Sequence, residues 1–379
     1  MKIVVDENVP LACDFFSHLG DVSLVSARDL SPSVTEQADA LIVRSTVRIT
    51  KELLANSKVK FVGTCTAGDD HFDKAAMDEL GIQFFSAPGC NAESVVEYVF
   101  SSLVALGRDW RGSTVGIIGR GHVGGLLYKK MTSLGVSCRS YDPFLNPGST
   151  ADLCELDEVL QSEIVCCHAP LTYSGEFPSF HLLGRSQLES LAKDAVLISA
   201  GRGAVVDNDA LLSVLERRED LKVVLDVWEG EPDISQKLFE RVDFATPHIA
   251  GHSYDGKVKG TEMIYKRLCQ FLEKEPERKL ANLEEPVSDN CIRLTKRNIL
   301  EAIGEAIHSV YNVRQDSEHF RQAYDSEFFD GKKDMGKLFD SLRKQYPMRR
   351  EFQKFRVKLL EPNQPIEGAL RILGFTLVE

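Results

Sequence analysis

The residues Thr114-Val115-Gly116-Ile117-Ile118-Gly119-Arg120-Gly121-His122-Val123-Gly124 leave this chain few folds to choose from. An apolar run with the pattern of a buried strand breaks into G-x-G-x-x-G at positions 119, 121 and 124, then takes a helical period through Leu134. Gly119 allows the tight turn, Gly121 lets backbone N–H groups meet a pyrophosphate, and Gly124 lets the helix close on the strand. His122 and Val123 open that helix, whose N-terminus faces an anion with partial positive charge. A second strand, 136 to 141, ends at Asp142, where a carboxylate accepts the ribose hydroxyls of a dinucleotide. Strand, turn, helix, strand and acid together predict a Rossmann unit; a lone glycine triplet would not. Asp142 also repels the 2′-phosphate of NADP, and residues 143–150 contain no Lys or Arg to hold one, so the expected cofactor is NAD.

Upstream, short apolar runs alternate with helical patterns, the signature of a parallel sheet with crossover helices; strands are expected near 2–5, 22–25, 40–43, 59–63 and 82–85. Ligands of such sheets bind beyond the carboxyl ends of the strands. There stand Asp6-Glu7-Asn8, Arg44-Ser45-Thr46, Thr64-Cys65-Thr66-Ala67-Gly68 and Ala87-Pro88-Gly89. Arg44 with Thr66, Ala67 and Gly68 is suited to a carboxylate or phosphate, and equally to a surface charge beside helix-capping threonines. A helical pattern over 91–106 leads to the second sheet, which continues near 164–167, 195–199, 222–225 and 243–245, making six strands. Arg202, Glu231 and His248 each follow a different one of these strands. A histidine that exchanges protons near neutral pH, a carboxylate beside it and an arginine that grips a carboxylate are the parts needed to move a hydride between a 2-hydroxy acid and a nicotinamide.

At 379 residues the chain has room for two or three domains. Its net charge of −12 offers no general positive field for nucleic acid or an anionic membrane, so an anionic substrate needs a local basic pocket. No apolar run reaches the ~18 residues of a membrane helix, and acids follow the first apolar residues at Asp6-Glu7, which reads as a strand and not a signal peptide. Nine scattered cysteines without a C-x-x-C pair fit a cytoplasmic protein with reduced thiols, no disulfide framework and no metal site.

These residues resemble the D-isomer-specific 2-hydroxyacid dehydrogenases over about residues 1–280. The likeness rests on the glycine triplet, Gly201-Arg202-Gly203-x-x-Val206-Asp207, Asp226-Val227-Trp228-x-x-Glu231-Pro232 and Thr246-Pro247-His248-Ile249-Ala250-Gly251. The opening Val5-Asp6-Glu7-Asn8, the segments Val43-Arg44-Ser45 and Ala87-Pro88-Gly89-Cys90-Asn91-Ala92, and the length of the tail are similar to members acting on a small phosphorylated hydroxy acid. The resemblance implies that Arg202 and Glu231 are active-site residues and that His248 is the proton donor or acceptor. It implies that Asp142, Ala169, Ala200, Asp226 and Gly251 bind cofactor and that Ser45 and Thr66 bind substrate. Two positions depart from the pattern: Ser199 replaces an asparagine, and His252 replaces a tyrosine that often contacts substrate, which a histidine could also do.

The resulting expectation is α/β. A discontinuous flavodoxin-like substrate domain (1–92 and 252–280) and a Rossmann NAD domain (93–251) are doubly wound parallel sheets with the catalytic cleft between them. A C-terminal α+β domain (285–379) mediates homodimerisation by resemblance. In that tail the pattern predicts helices over 294–313 and 335–345, a strand over 355–360, a helix over 365–373 and a strand over 375–378. The rival readings are the same chemistry on another acid, such as 3-phosphoglycerate, and an NAD-sensing corepressor-like protein.

Overall fold

The computed structural model describes residues 1–283, 287, 290–329 and 334–378, so the expected boundary at 285 lies outside the described residues. The chain divides into two compact units, Met1–Ala92 with His252–Pro286, and Glu93–Gly251 with Val287–Glu379.

The first unit is built on five parallel strands, β1 (Lys2–Asp6), β2 (Asp21–Val25), β3 (Ala40–Val43), β4 (Phe61–Thr64) and β5 (Gln83–Phe85), in the order β2-β1-β3-β4-β5. β3 and β4 are buried at every residue, as strands covered on both faces must be. One cover is the long helix Tyr254–Phe271, which small residues draw in. A Cβ on Gly63 would lie 2.4 Å from the Ile264 side chain, and one on Gly260 would lie 2.3 Å from the Cys65 carbonyl oxygen. Ser253 sets the start of this helix by accepting from Gly256 N–H.

The second unit carries β6 (Thr114–Ile118), β7 (Ser137–Tyr141), β8 (Ile164–Cys167), β9 (Val196–Ser199), β10 (Lys222–Leu225) and β11 (Phe244–Ala245), all parallel, in the order β11-β10-β9-β8-β6-β7. A single parallel bridge, Ser140 to Leu153, adds a vestigial strand outside β7. Counting it gives the Rossmann order 3-2-1-4-5-6 with one further strand, and the order reverses between β6 and β8.

The tail differs in detail from its sequence pattern. Cys291–Leu294 is a strand, β12, and the following helix spans only Ile299–Val310, capped by Asn298. A second helix, Val313–Phe329, which periodicity did not reveal, precedes Met335–Lys344. β13 (Arg356–Leu359), the helix Gln364–Leu373 and β14 (Thr376–Leu377) complete a parallel three-stranded sheet ordered β12-β13-β14. Ile303, Ile307, Val357, Leu370 and Phe375 share one core with the helix Ala92–Ala105 and β6, while Phe320, Phe339 and Leu338 enter the core on the sheet's other face. No helix among the described residues is long and apolar enough to cross a membrane.

Candidate active site

The glycine turn sits where the strand order reverses. Gly119 has φ 83°, and a Cβ there would lie 2.7 Å from the backbone N of Ala169, so the turn abuts the chain leaving β8. Gly124 is equally confined, its Cβ position being 2.0 Å from the Gly119 carbonyl oxygen. Gly121 is the opposite case, with no atom within 4 Å of a Cβ and an ordinary φ of −74°. No side chain caps the helix His122–Ser133 that follows, so its first N–H groups remain available to an anion. Asp142 directly follows β7, with Oδ2 accepting from Arg120 N–H (2.9 Å) and Oδ1 from Phe144 N–H (3.1 Å). Arg120, inside the glycine turn, lies over the Tyr128 ring and donates to Ser140 Oγ and the Ala151 carbonyl. A pyrophosphate beside an open glycine and a ribose beside a fixed carboxylate fit a dinucleotide.

Beyond the carboxyl ends of β9, β10 and β11 three loops are tied together. Gly203 admits no side chain, since a Cβ would lie 1.9 Å from the Trp228 carbonyl oxygen; this presses the Arg202 turn onto the loop bearing Glu231. Arg202 is half-buried, with Nη1 donating to the Gly201 carbonyl at 3.0 Å. His248 Nδ1–H donates to Glu231 Oε2 at 2.7 Å, and Glu231 Oε1 accepts Trp228 N–H at 2.7 Å. Burial opposes ionisation of Glu231, but the His248 charge and hydrogen bond, the Trp228 N–H and the Arg343 guanidinium hold it below the usual carboxylate range. His248 adopts φ 53°, a left-handed conformation rare for a non-glycine residue and enriched at functional sites.

Asp226 supplies that constraint. It is 1% exposed, and its oxygens accept from Thr246 Oγ1 (2.8 Å), Ile249 N–H (2.7 Å) and Ala250 N–H (3.0 Å). Tyr98 OH shares a hydrogen bond with Thr246 Oγ1, and the Trp228 indole donates to the Thr246 carbonyl. Burial raises the Asp226 pKa against these donors and the nearby His248. Ala200 N–H donates to the Cys167 carbonyl, which holds the start of the Arg202 loop against β8. His181, Asp207 and Glu229 form an unforeseen cluster whose ligating atoms lie within 4.8 Å of one another. His181 Nε2 meets Glu229 Oε1 at 2.8 Å, Asp207 caps the helix Asn208–Leu215, and Glu229 Oε2 accepts Asn208 N–H. The cluster therefore braces the loop that carries Glu231.

In the first unit Arg44 and Ser45 follow β3, while Thr66, Ala67 and Gly68 follow β4. Thr66 Oγ1 hydrogen-bonds Thr64 Oγ1 (2.7 Å) and the Gly68 carbonyl (3.2 Å). His252 opens the return of the chain to this unit, next to the capping Ser253, and Gly251 is the last residue before the return.

A glycine turn at a Rossmann switch point, with an Arg, Glu and His set beyond the same sheet, defines the NAD-dependent D-2-hydroxyacid dehydrogenase class. Residues 92–250 match the family model described as D-isomer specific 2-hydroxyacid dehydrogenase, NAD binding domain, and residues 285–374 match a domain of unknown function (DUF3410). The erythronate-4-phosphate dehydrogenase of Cellvibrio japonicus is 45% identical over 379 residues, covering 100% of both chains. That of Chromohalobacter salexigens is 43% identical, covering 99% of this chain and 98% of its own. The NAD+-bound 3-phosphoglycerate dehydrogenase of Entamoeba histolytica shares the fold with a TM-score of 0.63 at 22% identity, over 74% of this chain and 98% of that one. The chain belongs to the erythronate-4-phosphate dehydrogenase family.

Proposed function

We propose that this enzyme oxidises 4-phospho-D-erythronate at C2 to 3-hydroxy-2-oxo-4-phosphooxybutanoate, with NAD as acceptor, in pyridoxal 5′-phosphate biosynthesis. The observation that carries the reaction is the 2.7 Å His248–Glu231 pair beside the Arg202 turn; the substrate follows the full-length likeness to relatives named for it. The Glu231 carboxylate fixes the proton on Nδ1, which leaves Nε2 of His248 to take the C2 hydroxyl proton. Arg202 orients the substrate carboxylate and the C2 oxygen. Gly119, Gly121, His122, Val123 and Gly124 hold the pyrophosphate, Asp142 the ribose, and Ala169, Ala200 and Gly251 line the remaining cofactor surface. When bound, NAD supplies the hydride acceptor. Asp226 has two roles, at the cofactor and as the anchor of the His248 loop. Ser45, Thr66, Ala67, Gly68 and His252 contact the substrate, with Arg44.

The reading extends to a homodimer formed through the C-terminal region, where Met348 and Leu360 are each 72% exposed, and to the cytoplasm, where nine unpaired cysteines stay reduced. A solution mass of one chain would overturn the dimer. The reaction is tested by adding NAD with 4-phospho-D-erythronate, 3-phosphoglycerate or D-erythronate to the purified protein and following reduction of the nicotinamide. Turnover is expected with the first at the highest kcat/KM; equal or higher kcat/KM with either of the others refutes the assignment.

A further inference from the structure

Two cations of the first unit converge at one turn without an ion pair to either among the described residues. Arg44 directly follows β3, and the register pairs Val43 with Thr64, so Arg44 stands beside the Cys65–Thr66 turn. The helix Tyr254–Phe271 lies on that same turn, with Gly260 against the Cys65 carbonyl and Thr261 beside the Cys65 thiol. Lys257 sits three and four residues before this pair on the same helical face, so its side chain is delivered to the turn. It is half-buried, and burial followed by the Arg44 charge holds it below the usual lysine range, with no carboxylate offsetting the repulsion.

Neither Arg44 nor Lys257 makes an ion pair or a side-chain hydrogen bond among the described residues. Asp6, the acid across from Val43 at the end of β1, is 5% exposed, and its oxygens accept from Asn8 N–H, Asn8 Nδ2–H and Thr46 Oγ1–H. Two like charges held near each other at a half-buried site repel, and an anion entering between them relieves that repulsion. Thr66 and Thr64 add hydroxyls at the same place. A phosphate monoester carries roughly −1.5 to −2 charges near neutral pH and so matches a pair of cations better than the single charge of a carboxylate does.

We propose that Arg44 and Lys257, at the Thr64–Gly68 turn, form the pocket for the phosphoryl group of the substrate. This rests on the phosphorylated-acid reading above and assigns Lys257 the selection of phosphorylated over unphosphorylated acids. The arginine provides a planar fork and the lysine a compact charge, so the two differ in how substitution acts on them.

The test compares the full-length enzyme with Lys257→Met and Lys257→Arg. With 4-phospho-D-erythronate, K257M is expected to raise KM roughly 10- to 100-fold while kcat changes less than about threefold, and K257R to recover most of the loss. Inorganic phosphate, titrated without substrate, should raise the melting temperature of the unsubstituted enzyme and leave that of K257M unmoved. Without phosphate, K257M should melt no lower than the unsubstituted enzyme, since relief of repulsion offsets the lost stem. Equal phosphate stabilisation of both proteins, or an unchanged KM in K257M, overturns the pocket. Absence of turnover by the unsubstituted enzyme overturns the substrate reading instead, and the phosphate titration still decides the pocket.

Discussion

Glu231 uses its two carboxylate oxygens on two different donors, His248 Nδ1–H and Trp228 N–H, each at 2.7 Å. A glutamine at this position offers one acceptor and one NH2. If its oxygen keeps Trp228, its NH2 faces Nδ1, which must then accept, and the imidazole proton moves to Nε2 where the substrate hydroxyl has to deliver its own. If its oxygen keeps His248, the Trp228 N–H faces another donor, and the loop shifts. Either way Glu231→Gln should lower kcat by roughly 10²-fold, the scale of positioned acid–base catalysis, while the NAD dissociation constant stays within about twofold. Steady-state kinetics with a parallel NADH titration would check this; a kcat within twofold of the original contradicts the assigned role. The Arg, Glu and His were legible in the sequence because each follows a strand of one sheet. The role of Asp226 as anchor was not, because its partners Thr246, Ile249 and Ala250 come from a loop some twenty residues on, and no local pattern encodes that contact. Lys257 escaped for the same reason: it reads as one more charge on a helix until the turn beneath it is known.

Among elements, the three glycines of the β6 turn separate packing from binding. Gly124→Ala puts a methyl 2.0 Å from a backbone oxygen, which no side-chain rotation relieves, so the helix must lift from the strand. A melting temperature lower by on the order of 5–10 °C is expected. Gly121→Ala meets open space at an ordinary φ and should melt with the original protein. Its methyl nevertheless occupies the side from which a pyrophosphate approaches, so NAD affinity should fall at least about tenfold. Thermal unfolding and NADH titration of both variants discriminate; a Gly121→Ala protein that binds as tightly as the original removes the glycine from the cofactor site. The strands of both sheets were readable because buried parallel strands are near-continuous apolar runs. Of the elements that were not, two show why. Leu153 contributes a single bridge, too short for any period. The helix Val313–Phe329 buries Val313, Ser317, Phe320 and Tyr324, a regular stripe in which one member is polar because Ser317 Oγ accepts Ala245 N–H from β11. A serine recruited to satisfy an end strand interrupts the apolar signal that would have betrayed the helix.

In the molecule as a whole, the tail is fastened to the Rossmann part of its own unit by ionisable groups buried among one another. Arg349, 6% exposed, donates to the carbonyls of Ser94 and Ala250, stacks 3.6 Å over the Tyr311 ring and meets Glu97 Oε2 at 3.4 Å. Ala250 is two residues from His248, so this arginine holds the His248 loop from the side of the tail. Removing residues 285–379 would strip both cores of the unit as well as any subunit contact, which makes single substitutions the better probe. Glu97 accepts Phe352 N–H at 2.6 Å and faces Arg349, Glu351 and Lys130. Burial, aided by Glu351, outweighs the attraction of Arg349, the Phe352 hydrogen bond and Lys130, and pushes Glu97 from the usual 4.5 up to about 8. The folded pKa therefore exceeds the unfolded one. The stability linked to this proton is complete below about 4.5 and is lost progressively as pH rises through about 8, because the unfolded chain releases the proton first. Glu97→Gln keeps the shape and an acceptor for Phe352 N–H but has no proton to lose. Relative to the variant, the original protein should lose stability steadily across pH 5 to 8, with the two denaturation midpoints changing in parallel below that window. Urea unfolding of both proteins at half-unit pH intervals checks it. Midpoints that keep a constant separation from pH 5 to 8 would mean that Glu97 is ionised in the fold and that the tail is held by a charged pair with Arg349.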